Sequence, residues 1–281
     1  MKTRLDKTLV ERGLVQSRER AQALILAGRV LVAEQKVEKP GTPVEEGAAL
    51  RVLGDDMRYV SRGGLKLEGA LEYWGIALEG RACVDVGAST GGFTDCMLQH
   101  GAVSVLAVDT GYGQIAHSLR VHPRVRLMER CNARLLGAGE LSGQFSVVSS
   151  PMSVGDAKTE ADSSAALRND KPSEAISFLA MDVSFISATL VLPAVLRALV
   201  PEGETWRGEA VVLIKPQFEA GREHVGKGGI VREQAGRDIA IGRVKACVAE
   251  LGGAGIEVID SPIHGMEGNW EYLLHARFGA Q

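Results

Sequence analysis

The chain has 281 residues, 45% hydrophobic and 24% charged, with 35 acidic against 32 basic residues and a net charge of −3. That length holds two ordinary domains or one large one, and the composition suffices for a real core. The charge excludes a global polycation, so any nucleic-acid binding must come from a local patch. The four cysteines (Cys83, Cys96, Cys131, Cys247) show no paired spacing and read as reduced thiols of a cytoplasmic protein, not as a disulfide framework or a zinc site. The polar opening predicts no signal peptide. The longest apolar run, Leu190 to Val200, is broken by Pro193 and Arg197, which predicts no membrane span.

Residues 1–55 read as a small separate module. Leu5, Leu9 and Val10 share one helical face, and Gly13 stops that helix. Ser17 caps a second helix, Arg18 to Ala27, which Gly28 closes. Strands are expected at Val30–Val32 and Leu50–Leu53, with polar turns between them. Up to residue 39 there are nine basic residues and five acidic ones, on a chain whose total is negative. A solvated helix face would account for this. The sharper reading is an RNA-contacting module in which Arg4, Lys7, Arg18, Arg20 and Arg29 meet phosphates.

Residues 56–61 read as a linker, and 62–281 as a second domain. Ser61-Arg62-Gly63-Gly64-Leu65-Lys66 opens a helix that runs to Trp74. From Ala82 the chain alternates strand and helix, with strands expected near 82–86, 104–109, 125–128, 178–182, 210–214 and 256–259, and further short ones near 263–264 and 271–276. This predicts an α/β fold with a doubly wound, mostly parallel sheet and a site at the carboxyl edge of its strands. Residues 149–174 break the pattern, being rich in Ser, Ala, Asp and Lys, and are expected to be a mobile surface insertion.

Asp85-Val86-Gly87-Ala88-Ser89-Thr90-Gly91-Gly92-Phe93 follows the first strand of the second domain and precedes a helix. Glycines let a ligand approach the backbone there, and the helix start offers free N–H groups. The order is neither that of a dinucleotide fingerprint nor that of a P-loop. With Asp109 ending the next strand, where ribose hydroxyls are commonly held, it suits S-adenosylmethionine. Asp85, Gly87, Ala88, Ser89, Gly91, Gly92, Phe93 and Asp109 are therefore the expected cofactor residues. A tight turn without a ligand is the plainer alternative.

Reactive side chains end the later strands: Asp182 after Phe178-Leu179-Ala180-Met181, Lys215 after Val211-Val212-Leu213-Ile214, and Glu271 in Asn269-Trp270-Glu271-Tyr272. Lys66 opens the helix before the first strand. Converging strand ends would gather all four at one substrate oxygen. Asp182 and Glu271 are expected to orient Lys215, while Lys66 and desolvation lower its pKa, so that it can accept a proton from a hydroxyl attacking a sulfonium methyl. Taken singly, each would read as half of a surface ion pair. There is no Pro-Cys dipeptide and no Asn/Asp-Pro-Pro-aromatic motif, which turns the expectation from base carbons and amines toward a hydroxyl acceptor. Lys227, in the loop Gly226-Lys227-Gly228-Gly229, and Arg62 are expected at substrate phosphates, although a plain turn would also explain that loop. The histidines show no ligand spacing, and no metal is expected.

These motifs together resemble the TlyA-type, or hemolysin A, family of ribosomal RNA 2′-O-methyltransferases. The carriers are RLDKTLVERGLVQSRERAQALILAGRVLV, SRGGLKL, DVGASTGGFTD, VDTGYGQ, MDVSFIS, KPQFE, GKGGIV and GNWEYLL. The opening is similar to S4 RNA-binding domains and the remainder to FtsJ-like methyltransferases. The resemblance implies a catalytic tetrad, which by motif position is Lys66, Asp182, Lys215 and Glu271. It implies S-adenosylmethionine facing Asp85, Gly87 and Asp109, with Asn132 near the adenine. The implied reaction is methylation of cytidine 2′-hydroxyls in ribosomal RNA of the small subunit, the large subunit or both, with ribosomal subunits as partners. An RNA-binding assembly factor with a vestigial site is the alternative. A membrane-lytic protein has little support in this sequence.

Overall fold

The computed structural model describes residues 2–15, 17–53, 58–144, 175–265 and 268–279. The insertion expected at 149–174 lies outside the described residues. Two compact units divide the chain, Met1–Arg58 and Tyr59–Gln281.

The first unit is built of β1 (Lys2–Arg4), α1 (Leu5–Glu11), α2 (Arg18–Leu26), β2 (Val30–Val32), β3 (Gln35–Lys36), β4 (Pro43–Glu45) and β5 (Leu50–Val52). Leu5, Leu9, Ile25 and Val30 are fully buried and form its core. The Ser17 side chain accepts from the Arg20 N–H at the start of α2, as its position before the apolar-periodic run requires. β2 pairs antiparallel with β3 and β5, and β1 pairs antiparallel with β4. The pair β1–β4 and the two-residue strand β3 carry no apolar run in the sequence, unlike Val30–Val32.

Asp6 anchors this unit. It is fully buried, and its carboxylate accepts from Arg4, from Arg18 Nε at 3.0 Å and from Gln22 Nε2 at 2.9 Å. The Arg4 guanidinium, aided by Gln22 and Arg18, holds this carboxyl well below the usual range. Asp6 therefore joins the start of α1 to α2 and fixes the directions of two half-exposed guanidiniums.

The second unit opens with α3 (Gly63–Trp74) and continues through β6 (Ala82–Val86), α4 (Gly92–Gln99), β7 (Ser104–Val108), α5 (His117–Arg120), β8 (Val125–Met128), β9 (Ile176–Met181), α6 (Ala188–Ala198), β10 (Gly208–Ile214), α7 (Pro216–Glu219), α8 (Gln234–Glu250), β11 (Ala254–Asp260) and β12 (Tyr272–Phe278). Its seven-stranded sheet has the order β11-β12-β10-β9-β6-β7-β8. β10, β9, β6, β7 and β8 are parallel, and β12 and β11 add antiparallel at one edge. The chain leaves β6 in one direction and returns to the other side of it with β9, so the switch point lies between those two strands. Residues 263–264 form no strand. That segment turns instead, with the Gly265 N–H donating to the Asn269 carbonyl.

Both faces of the sheet are covered, which is why its central strands read as continuous apolar runs. Val84 and Val86 face the core that holds Leu192, Val195 and Val244 from α6 and α8. Cys83 lies on the opposite face, with Leu67, Leu71, Phe93 and Met97 from α3 and α4. The period of two puts Asp85 on that second face, beneath the start of α4. Tyr59 is buried in the same core, against the Gly64 backbone of α3. Among the described residues no helix is long and apolar enough to cross a membrane.

Replacing Asp6 with Ala removes the anchor between α1 and α2 while leaving two exposed cations. The expected cost is about 1–2 kcal/mol in the first unit. Hydrogen exchange should show it as roughly five- to thirtyfold acceleration of core amides in α1 and α2, with the second unit unaffected. Unchanged exchange there would show that Asp6 holds nothing.

Candidate functional site

Gly87 directly follows β6 with φ +87°, and a Cβ there would lie 2.3 Å from the carbonyl oxygen of Asp182. Only glycine lets β6 and the chain leaving β9 come so close. The Asp182 N–H meanwhile donates to the Val86 carbonyl at 2.9 Å. At Gly92 a Cβ would meet Ser61 Oγ at 2.3 Å and the Gly64 nitrogen at 2.8 Å. The start of α4 is thereby packed backbone to backbone against the start of α3. That contact carries Lys66 to the carboxyl edge of the sheet.

Two cavities open along this edge, of about 510 and 550 Å³. They share Gly87, Ser89, Asp182, Ser184 and Phe185. The first holds Lys66, Asp182, Lys215 and Glu271 together with Asp85, Ala88, Gly92, Phe93 and Arg62. The second holds Asp109 and Asn132. The sequence-expected residues thus gather in one bilobed cleft, with exceptions. Gly91 shapes the turn from behind, against Leu119. Phe93 lines the cavity wall but is 3% exposed and belongs to the core. Lys227 is exposed on a neighbouring loop whose Gly229 reaches the first cavity. Of the expected RNA contacts in the first unit, Arg4 and Arg18 are paired with Asp6 and Lys7 with Glu11, and Arg29 Nε donates to the Leu53 carbonyl. Arg20 contributes its backbone N–H to the Ser17 cap.

The catalytic candidates form two ion pairs. Lys66 Nζ lies 2.5 Å from Glu271 Oε2, and Lys215 Nζ lies 2.6 Å from Asp182 Oδ1. Lys215 also donates to Ser184 Oγ at 2.6 Å. The expectation that Glu271 orients Lys215 is corrected here: Glu271 orients Lys66. The reason is topological. β12 runs antiparallel beside β10, and the turn before Tyr272 delivers Glu271 to the side where α3 begins. Ser184, Phe185 and Asn269 have places in the cleft that single-sequence patterning does not signal. Phe185 is 92% exposed, has φ +64°, and stands 5.6 Å from the Phe218 ring. Asn269 is buried and joins Gly229 O and Val231 N, so it tethers the Lys227 loop to the turn bearing Glu271.

Asp85 is fully buried. Its Oδ2 accepts from the Thr94 N–H at 2.9 Å and from Thr94 Oγ1 at 2.6 Å. Its Oδ1 has no hydrogen-bond partner among the described residues. Burial, opposed by the Thr94 bonds and helped by the charges of Asp182 and Asp109, pushes this carboxyl up to about 7. Asp109 accepts from Ser89 N at 2.7 Å and Gly111 N at 2.6 Å, which stitches the glycine loop to the end of β7 and leaves further lone pairs on both oxygens. An orphaned buried carboxylate oxygen, a glycine cradle and a second acid twenty-four residues after the first form a donor and acceptor set that fits an adenosyl sulfonium with an amino-acid tail.

The chain is similar to known proteins over nearly its whole length. A model of FtsJ-like methyltransferases matches residues 59–278, and a model of S4 domains matches residues 3–50. The 16S/23S rRNA (cytidine-2′-O)-methyltransferase TlyA of Mycobacterium tuberculosis is 40% identical over 277 residues, covering 98% of this chain and 90% of that protein. Hemolysin A of Brachyspira hyodysenteriae is 37% identical over 97% of this chain and 98% of its own length. A solved structure from Streptococcus thermophilus, provisionally described as a hemolysin, superimposes with a TM-score of 0.66 at 37% identity, covering 98% of this chain and 88% of that one.

The buried acid leads to a pH test. The unfolded chain releases the Asp85 proton near pH 4 and the folded chain near 7, so its contribution to stability is full below about 4, falls as pH rises through this window, and is flat above it. Asp85→Asn keeps the shape and cannot ionise. Its melting temperature relative to the parent should rise between pH 4.5 and 8 by the equivalent of about 2–4 kcal/mol. A difference that does not vary with pH would mean that Asp85 titrates normally.

Proposed function

The chain belongs to the FtsJ-like methyltransferase family, and from that premise we propose that it methylates the 2′-hydroxyl of cytidine in ribosomal RNA, with Lys66, Asp182, Lys215 and Glu271 around the reacting oxygen. The observation that carries this reading is the pair of lysine–carboxylate contacts lining one cavity, next to a glycine loop fit for the cofactor. S-adenosylmethionine, when bound, supplies a methyl group made electrophilic by a positively charged sulfur. Asp85, Gly87, Ala88, Ser89 and Gly92 would hold it, with Gly91 shaping the turn and Phe93 backing the wall, and Asp109 and Asn132 would supply polar groups in the second lobe.

Lys215, once it has given up its own proton, is the group that takes the proton of the ribose hydroxyl. Asp182 stabilises the ammonium that this creates, and Ser184 fixes its direction. Glu271 holds Lys66 so that its remaining N–H groups can steady the oxygen during attack. The displacement needs little covalent help from the protein, so positioning accounts for much of the rate. Phe185 offers an exposed ring face at the cleft mouth for a nucleobase splayed out of the RNA. Arg62, which lines the first cavity, and Lys227, exposed on the loop of Gly229, suit phosphates. The cations of the S4 unit suit the phosphates of an RNA helix or loop, with ribosomal subunits in the cytoplasm as the partners.

Lys215→Ala should lower methyl transfer by about 10²–10⁴-fold and leave cofactor affinity within a few-fold of the parent. The assay is transfer from labelled S-adenosylmethionine to purified small and large ribosomal subunits, with mass-spectrometric mapping of the modified nucleotide. Unchanged turnover removes Lys215 from the mechanism. Transfer to a base instead of a ribose would overturn the assignment of the acceptor.

A further inference from the structure

Lys215 and Asp182 end different strands, and nothing in the sheet ladder alone fixes the two side chains against each other. The segment from Asp182 to Ser187 carries three groups of the cleft: Asp182, Ser184 and Phe185. Its backbone is uncomfortable, since Phe185 is a non-glycine residue at φ +64° and almost fully exposed. Such a conformation persists only when the surrounding structure holds it at both ends. One end is held by the ladder, through the Asp182 N–H on the Val86 carbonyl.

The other end is held by Glu219. This residue is 4% exposed and closes α7, the short turn that begins directly after Lys215. Its Oε2 accepts from Ser187 Oγ at 2.5 Å and its Oε1 accepts from the Ala188 N–H at 2.7 Å. On its own side, the Phe218 N–H donates to the Lys215 carbonyl at 2.9 Å, and Arg243 Nη1 of α8 donates to the Glu219 carbonyl at 2.6 Å. One carboxylate thus spans from the turn that carries Lys215 to the far end of the segment that carries Asp182.

Of the backbone N–H groups at the start of α6, this acid satisfies that of Ala188 alone. Ser187 already caps the helix by accepting from the Thr189 N–H, which is the usual device at that position. A buried carboxylate is expensive, and burial raises the Glu219 carboxyl above its ordinary value despite both bonds. The expense is understandable if what is gained is a fixed distance between two loops.

We propose that Glu219 is a positioning residue of the methyl-transfer site, a strut that sets Asp182, Ser184 and Phe185 relative to Lys215. The inference rests on the roles given above to Lys215 and Asp182. It assigns Glu219 no contact with substrate or cofactor.

The test uses the full chain with Glu219→Ala and Glu219→Gln. Glutamine keeps both contacts, its carbonyl accepting from Ala188 and its NH₂ donating to Ser187 Oγ. In Glu219→Ala, amide exchange across 183–188 should accelerate while β6 and β7 stay protected. Cofactor binding should keep its stoichiometry and affinity, and kcat on ribosomal subunits should fall about ten- to a hundredfold with KM little changed. Glu219→Gln should recover most of kcat. Unchanged exchange across 183–188 in the alanine variant overturns the strut, whatever the activity. A loss of cofactor stoichiometry matching the loss of kcat, with normal turnover per binding-competent molecule, also overturns it and leaves Glu219 a stability residue. If the parent protein transfers no methyl to either subunit, the proposed function fails, and the exchange data still decide the strut.

Discussion

The site depends on how closely two parallel strands can approach at the point where the sheet reverses its order of filling. β6 and β9 are neighbours, yet their continuations lead to opposite sides of the sheet, so a crevice opens beyond their carboxyl ends. Gly87 removes the side chain that would strike the Asp182 carbonyl. Without that clearance the strand ends would splay, and Asp182 would leave Lys215. With it, the backbones of the two strand ends are held together by the same hydrogen-bonded ladder that makes the sheet. Precision of this kind is difficult to obtain from loops alone, and it suits a reaction whose chief demand is alignment.

Strand periodicity adds the second constraint. Alternation sends Val84 and Val86 into one core and leaves Asp85 on the other face, where α4 begins. A carboxylate in the middle of a buried strand would be a defect anywhere else. Here its Thr94 bonds satisfy one oxygen, and the helix start supplies partial positive charge nearby. The cost appears as a carboxyl that holds its proton to about 7.

Much of this was legible in the residues, and the parts that were not share a cause. The sheet strands announce themselves because parallel strands covered on both faces are unbroken apolar runs, as Phe178–Met181 and Val211–Ile214 show. The glycine loop and the acids at strand ends follow from where such folds bind ligands. The pairing of Lys66 with Glu271 was not legible, since it joins residues 205 apart and turns on which strand lies beside β10. The two-residue strand β3 and the pair β1–β4 are set by tertiary packing and have no periodicity to read. Ser184, Asn269 and Glu219 are ordinary polar residues whose roles exist only through partners distant in sequence.

The charges of the cleft then explain why two lysines need two different acids. Asp182 and Glu271 each take one lysine, so neither cation faces the other unpaired across the first cavity. Two like charges sharing one wall without partners would repel. Paired separately, each ammonium has its own counter-charge and its own direction. Asp182 is shared by both lobes, whereas Glu271 lines the first only. Both lysines line the first lobe only, beside Asp85 and Gly92. The separate pairing arises from strand order: β9 and β10 are neighbours and bring Asp182 to Lys215, whereas the turn before β12 brings Glu271 to Lys66 at the start of α3.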